Sequence, residues 1–144
     1  MPSLHIRTTP PGPRARTLLR RYERHVAPSA TQSYPLVVDH AAGCHVWDVD
    51  GNCYLDFTAG ISVSAVGHSH KQVVGAITAQ VDRLIHFSFA DFFYPSYVRM
   101  AERLAELAPG RGPKQVFLCN SGAEAIEAAI KLVRHATRRP YILA

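Results

Sequence analysis

The residues whose types and spacing best suit chemistry lie in one turn, Asn120-Ser121-Gly122-Ala123-Glu124, between a short apolar run and a patterned helix. The first turn of a helix exposes N–H groups with no intrahelical acceptor, together with the positive end of the helix dipole. That makes it a natural seat for a phosphate. Gly122 and Ala123 have little or no side chain to hold an anion away, and the Ser121 hydroxyl can add a donor. The same spacing has another meaning, because Ser121 followed three positions later by Glu124 is a capping box that satisfies helix donors without a ligand. The two meanings conflict. A carboxylate folded back onto the first turn repels a phosphate, so a phosphate site requires Glu124 to point elsewhere.

Other reactive side chains are less well placed. His68 and His70 lack the further ligands that a zinc site needs, so no metal is expected. Cys44, Cys53 and Cys119 are odd in number and form no CxxC pair, which argues against a disulfide framework and fits a reducing compartment. The lysines are Lys71, Lys114 and Lys131. Lys131 stands roughly 13 Å along the helix axis from Gly122 at 1.5 Å per residue. It follows Glu127 in the order that favours a surface pair.

The elements that must position this turn follow from periodicity. Gln115 to Cys119 is apolar almost throughout, as in a strand buried on both faces, and Ile126, Ala129, Ile130 and Val133 form one face of the helix behind the turn. Strand, turn and helix begin an α/β unit, and Tyr141-Ile142-Leu143-Ala144 reads as the next strand. Upstream, helices are expected from about Ser69 to Ile85, on Val73, Val74, Ile77, Val81 and Leu84, and from about Pro95 to Ala108. Asp50-Gly51-Asn52 joins the alternating runs 44–48 and 53–57 as a hairpin, and Leu36 to His40 is a further strand. A proline-rich arm to Gly12 precedes a short helix from Pro13 to His25.

With 47% apolar and 19% charged residues in 144, the chain is globular rather than disordered. No apolar run approaches the roughly 20 residues of a membrane helix. The net charge of +5 is concentrated at the start, in Arg7, Arg14, Arg16, Arg20 and Arg21. Pro10, Pro11 and Pro13 spoil the amphipathic helix of a transit peptide, and only Tyr22 offers an aromatic for nucleic acid, so the arm is expected to pack on the chain or on a partner subunit.

Several motifs occur together in order: Gly12-Pro13-Arg14-Ala15-Arg16, Tyr34-Pro35-Leu36-Val37-Val38, Trp47-Asp48-Val49-Asp50-Gly51, Tyr54-Leu55-Asp56-Phe57, Gly60-Ile61, Gly67-His68-Ser69-His70 and Asn120-Ser121-Gly122-Ala123-Glu124-Ala125. With this set the chain resembles the class III pyridoxal-phosphate aminotransferases of the 4-aminobutyrate and ornithine kind over nearly its whole length. One departure is Lys71, where that family usually has the proline that opens a helix.

The resemblance implies an α/β fold, the N-terminal part of a fold type I pyridoxal-phosphate transferase. Residues 1–68 would form an arm and small-domain β segment, and 69–144 the start of the cofactor-binding large domain with an incomplete sheet. Ser121, Gly122 and Ala123 would hold the cofactor phosphate, and Ile61 would line the substrate pocket near Phe89 to Tyr94. The partners implied are an amino donor and a 2-oxo acid, in a cytoplasmic homodimer that binds neither nucleic acid nor membrane. The lysine that carries the cofactor, the acid for its pyridine nitrogen and the arginine for the substrate carboxylate are expected beyond position 144. Residues 1–144 alone are therefore expected to be poorly stable and not to transaminate. An amino-acid racemase on the same scaffold, a non-catalytic fragment that pairs with an intact homologue, and a simple phosphate-binding module are the alternatives.

Overall fold

The computed structural model describes residues 4–29 and 32–143, which divide into two compact units, 1–85 and 86–144. In the first unit, helix α1 (Pro13–His25) begins with proline at its first position, as the sequence predicts. Strands β1 (Val38–Ala42), β2 (His45–Asp48) and β3 (Cys53–Leu55) form an antiparallel sheet in the order β1-β2-β3. Helix α3 (Lys71–Val81) closes the unit. It starts at Lys71 without the family's proline, so that departure costs the helix no residue at its start.

The buried centre of this unit is small and combines polar with apolar residues. Asp48 is 4% exposed and Asn52 0%, beside Cys53 and Ala15 at 2% each. Burying such groups is tolerable only when they are hydrogen-bonded, and here they are. Asp48 Oδ1 accepts from the backbone N–H groups of Asp50 and Asn52 at 3.0 and 2.9 Å. Its Oδ2 accepts from Asn52 Nδ2 and the Tyr54 hydroxyl at 2.7 and 2.8 Å. Asn52 Oδ1 in turn accepts from the N–H groups of Arg7 and Thr8 at 2.7 and 2.9 Å.

The hairpin turn also caps α1. Asp50 accepts from the N–H groups of Arg14 and Ala15 at 2.9 and 3.0 Å, so α1 takes its N-terminal cap from a residue outside its own segment. Gly12 is required by that contact, since a Cβ there would collide with the Asp50 carboxylate. The arm thus packs on the chain itself, with His5 exchanging backbone hydrogen bonds with Cys53.

Helices α4 (Pro95–Leu107) and α5 (Gly122–Thr137) make up about half of the second unit, and neither contains a buried residue. Residues 115–119 are not a strand, nor are 141–143, which corrects the expectation for both; Ala144 lies outside the described residues. The reason is physical. An apolar run signals burial, but a strand exists only where a neighbour accepts its hydrogen bonds, and none in this unit does. The chain exposes 12477 Å², whereas two separate compact domains of these sizes would expose about 9,000 Å² in all.

Candidate functional site

The turn before α5 has the local geometry of an anion seat. Ser121 is the N-cap in extended conformation, with φ −149° and ψ 159°. Its Oγ accepts from the Glu124 N–H at 3.2 Å, which leaves its own proton free to donate. The Glu124 carboxylate does turn back, but onto the N–H of Asn120 at 2.7 Å, the residue before the cap. The capping-box reading is therefore realised in modified form, and the N–H groups of Gly122 and Ala123 stay without an acceptor. A Cβ at Gly122 would meet nothing within 4 Å, so the absence of a side chain there serves no packing purpose in this chain. It keeps open the space in front of those donors. A phosphate fits this turn, at the cost of one carboxylate nearby.

Lys131 is occupied elsewhere, pairing with Glu127 at 3.8 Å on the exposed face of α5. Lys114 lines an open apolar hollow of about 550 Å³ with Phe89, Tyr94, Tyr97 and Val116.

Ile61 belongs to the first unit and lies in the one-turn element α2 (Ala59–Ser62), which no periodicity predicts. Its four residues, Ala59, Gly60, Ile61 and Ser62, have φ of 47°, 61°, 63° and 65°, a left-handed turn. Three of them are not glycine, and that handedness costs roughly 1–2 kcal/mol for each. The N–H groups of Ser62 and Val63 bond back to the carbonyls of Thr58 and Ala59, and Ile61 is left 87% exposed at the tip.

What holds the turn is Asp56, a residue sequence reasoning had quoted only as part of a motif. Its Oδ1 accepts from the Thr58 N–H and hydroxyl at 2.7 and 2.8 Å and from the Ala59 N–H at 3.0 Å. Its Oδ2 meets His68 Nε2 at 2.6 Å. The hydrogen bond from His68, followed by those from Thr58, holds the Asp56 carboxyl well below the usual carboxylate range. An Asp two residues before a Thr is a turn signature visible in sequence, whereas the His68 partner is not. Asp48 shows a balance of opposites: burial raises its pKa, and the hydrogen bonds from Asn52, Tyr54 and Asp50 outweigh that and lower it.

With fold and geometry in hand, comparison with known proteins is decisive at the level of family. The model of the class-III aminotransferases matches residues 26–144, and the chain belongs to that family. It is 39% identical over 142 residues to 4-aminobutyrate aminotransferase of Mycobacterium tuberculosis, covering 99% of this chain and 32% of the relative. It is 43% identical over 131 residues to isoleucine 2-epimerase of Lentilactobacillus buchneri, covering 90% of this chain and 29% of the relative. Among solved structures, the ornithine aminotransferase of Toxoplasma gondii, described with partial occupancy of PLP at its active site, superposes with a TM-score of 0.74 at 30% identity. That match covers 90% of this chain and 30% of that one. The fold is thus α/β, part of the pyridoxal-phosphate aminotransferase fold, and the chain spans about a third of the length of the relatives it matches.

Proposed function

We propose that these residues supply the phosphate-binding turn and one wall of the substrate pocket of a pyridoxal-phosphate aminotransferase that moves an amino group from an ω-amino acid such as 4-aminobutyrate to a 2-oxo acid. The observation that carries the reading is the pair of unsatisfied N–H groups at Gly122 and Ala123, with open space beside Gly122, in the run Asn120 to Ala125 that resembles the family's phosphate turn. When bound, pyridoxal phosphate supplies an aldehyde for the amino group and a ring that draws electrons from the substrate carbon. In this chain the Gly122 and Ala123 N–H groups and the Ser121 hydroxyl bind and orient its phosphate, and Ile61 shapes the apolar side of the pocket. The proposal includes a cytoplasmic homodimer. A second reading, racemisation of an amino acid, is favoured by the likeness to isoleucine 2-epimerase, the higher in identity of the two relatives above.

Two measurements test this. Titrating the labelled chain with pyridoxal phosphate should shift the amide signals of Ser121, Gly122 and Ala123, and Ser121→Ala should weaken the effect several-fold; shifts absent at millimolar ligand would remove the turn as the seat. The longest reading frame that contains these residues should form 4-oxobutanoate from 4-aminobutyrate while 2-oxoglutarate becomes glutamate. Inversion of isoleucine without such a product would favour the racemase. The 144-residue chain alone should do neither.

A further inference from the structure

The left-handed turn α2 is held from outside by a relay of contacts that no expectation from sequence included. His68 is fixed first: it exchanges backbone hydrogen bonds with Gly43, N–H to O at 2.9 Å one way and 2.8 Å the other. Gly67 has φ 81°, and a Cβ there would lie 3.1 Å from the Gly43 carbonyl oxygen, so the two segments touch at van der Waals distance along the backbone. The Ser69 hydroxyl adds a hydrogen bond to the Ala41 carbonyl at 2.9 Å. His68 is therefore a post set against the β1–β2 turn. Asp56 links that post to the N–H groups at the start of α2, and Ile61 stands at the far end.

We propose that Asp56 and His68 are positioning residues that fix α2 in its left-handed form and so set where Ile61 meets an amino-acid substrate. The proposal rests on the reading of Ile61 as a pocket residue. A strained backbone persists only where its surroundings over-determine it, and such strain collects at sites where geometry matters more than stability. The surroundings here are four hydrogen bonds on one carboxylate. Glycine at all of these positions would give a cheaper turn; Ala59, Ile61 and Ser62 instead keep side chains and need the clasp.

The test is made on the full chain with 15N-labelled amides and 13C-labelled isoleucine δ1 methyls. Asp56→Ala and His68→Gln should each move the Ile61 methyl and the Ala59–Val63 amides, while Asp56→Asn, which keeps an oxygen toward Thr58, should move them less. Adding Ala59→Gly and Ser62→Gly to Asp56→Ala should restore the signals, because glycine adopts the turn without being held. The glycine pair alone should raise the midpoint of thermal unfolding by about 4 °C or more. An Ile61 methyl unmoved in Asp56→Ala, with Trp47 signals showing the unit folded, overturns the clasp. If Asp56→Ala unfolds the unit, the glycine pair decides: refolding supports the clasp and continued unfolding overturns it. No substrate is present, so a negative result here leaves the pocket reading standing. That reading fails separately if Ile61→Ala leaves donor preference unchanged in an active enzyme carrying it.

Discussion

The hairpin hub of the first unit and the turn before α5 in the second treat exposed backbone donors in opposite ways. Around Asp48 and Asn52, donors from three separate segments converge on side-chain oxygens of one short turn, and nothing further is needed to satisfy them. At Gly122 and Ala123 two donors are left open behind a serine cap and a carboxylate that reaches back past the cap to Asn120. The contrast extends to packing, since Asn52 is fully buried and α5 has no buried residue. The first region is complete within its own residues. The second leaves two of its donors open.

The largest expected effect breaks the hub. Asn52→Ala leaves the N–H groups of Arg7 and Thr8 without their acceptor and takes from Asp48 the hydrogen bond of Asn52 Nδ2, while the backbone N–H at position 52 still donates to it. At about 1–3 kcal/mol for each buried group left unsatisfied, the first unit should lose about 3 kcal/mol. Trp47, the single tryptophan, lies in β2 and reports this unit alone, so urea unfolding followed by its fluorescence measures the loss. Hydrogen exchange of the α5 amides should not change. A loss under about 1 kcal/mol would mean that water replaces Asn52 at little cost and that the hub is less self-contained than its geometry implies.

A smaller effect sharpens the comparison at Gly12. Gly12→Ala forces a methyl into the Asp50 carboxylate and should cost about 2 kcal/mol. Asp50→Ala should cost about 1 kcal/mol by removing the cap of α1. If the conflict is that contact and nothing else, the glycine substitution should cost far less in the Asp50→Ala background, and a double-mutant cycle measures the difference. Equal costs in both backgrounds would place the constraint on Gly12 elsewhere.

What could be read from the sequence divides along the same line. Helix α1, the hairpin and α5 follow from local signals: a proline at the first position, an Asp-Gly turn, a helical period, a serine cap. The open turn at Ser121, Gly122 and Ala123 was legible for the same reason, since its residues are consecutive. The cap of α1 by Asp50, the seat of Glu124 on Asn120 and the link from Asp56 to His68 were not, because each depends on where a side chain turns once the chain has folded. The run 115–119 shows the converse error. Its composition signals a segment suited to burial, yet none of its residues is buried, and strand pairing is a property of two segments where composition describes one.

The smallest expected effect is a slope with pH, confined to the first unit. The Asp48 and Asp56 carboxyls both titrate below their ordinary value in the folded chain, so the unfolded chain binds protons first as pH falls. Their contribution to stability is therefore complete above the ordinary carboxylate value of about 3.9, and declines as pH drops from there through the lowered values. Trp47-detected unfolding between about pH 5 and 2 should show the decline, and Asp56→Asn should flatten it while leaving the part due to Asp48. An unchanged slope in Asp56→Asn would mean that the His68 contact persists in the unfolded chain or forms too rarely to matter. The second outcome would remove the support that Asp56 gives to α2, and with it the reason why three residues with side chains hold a left-handed turn, whereas the first would leave that support in place.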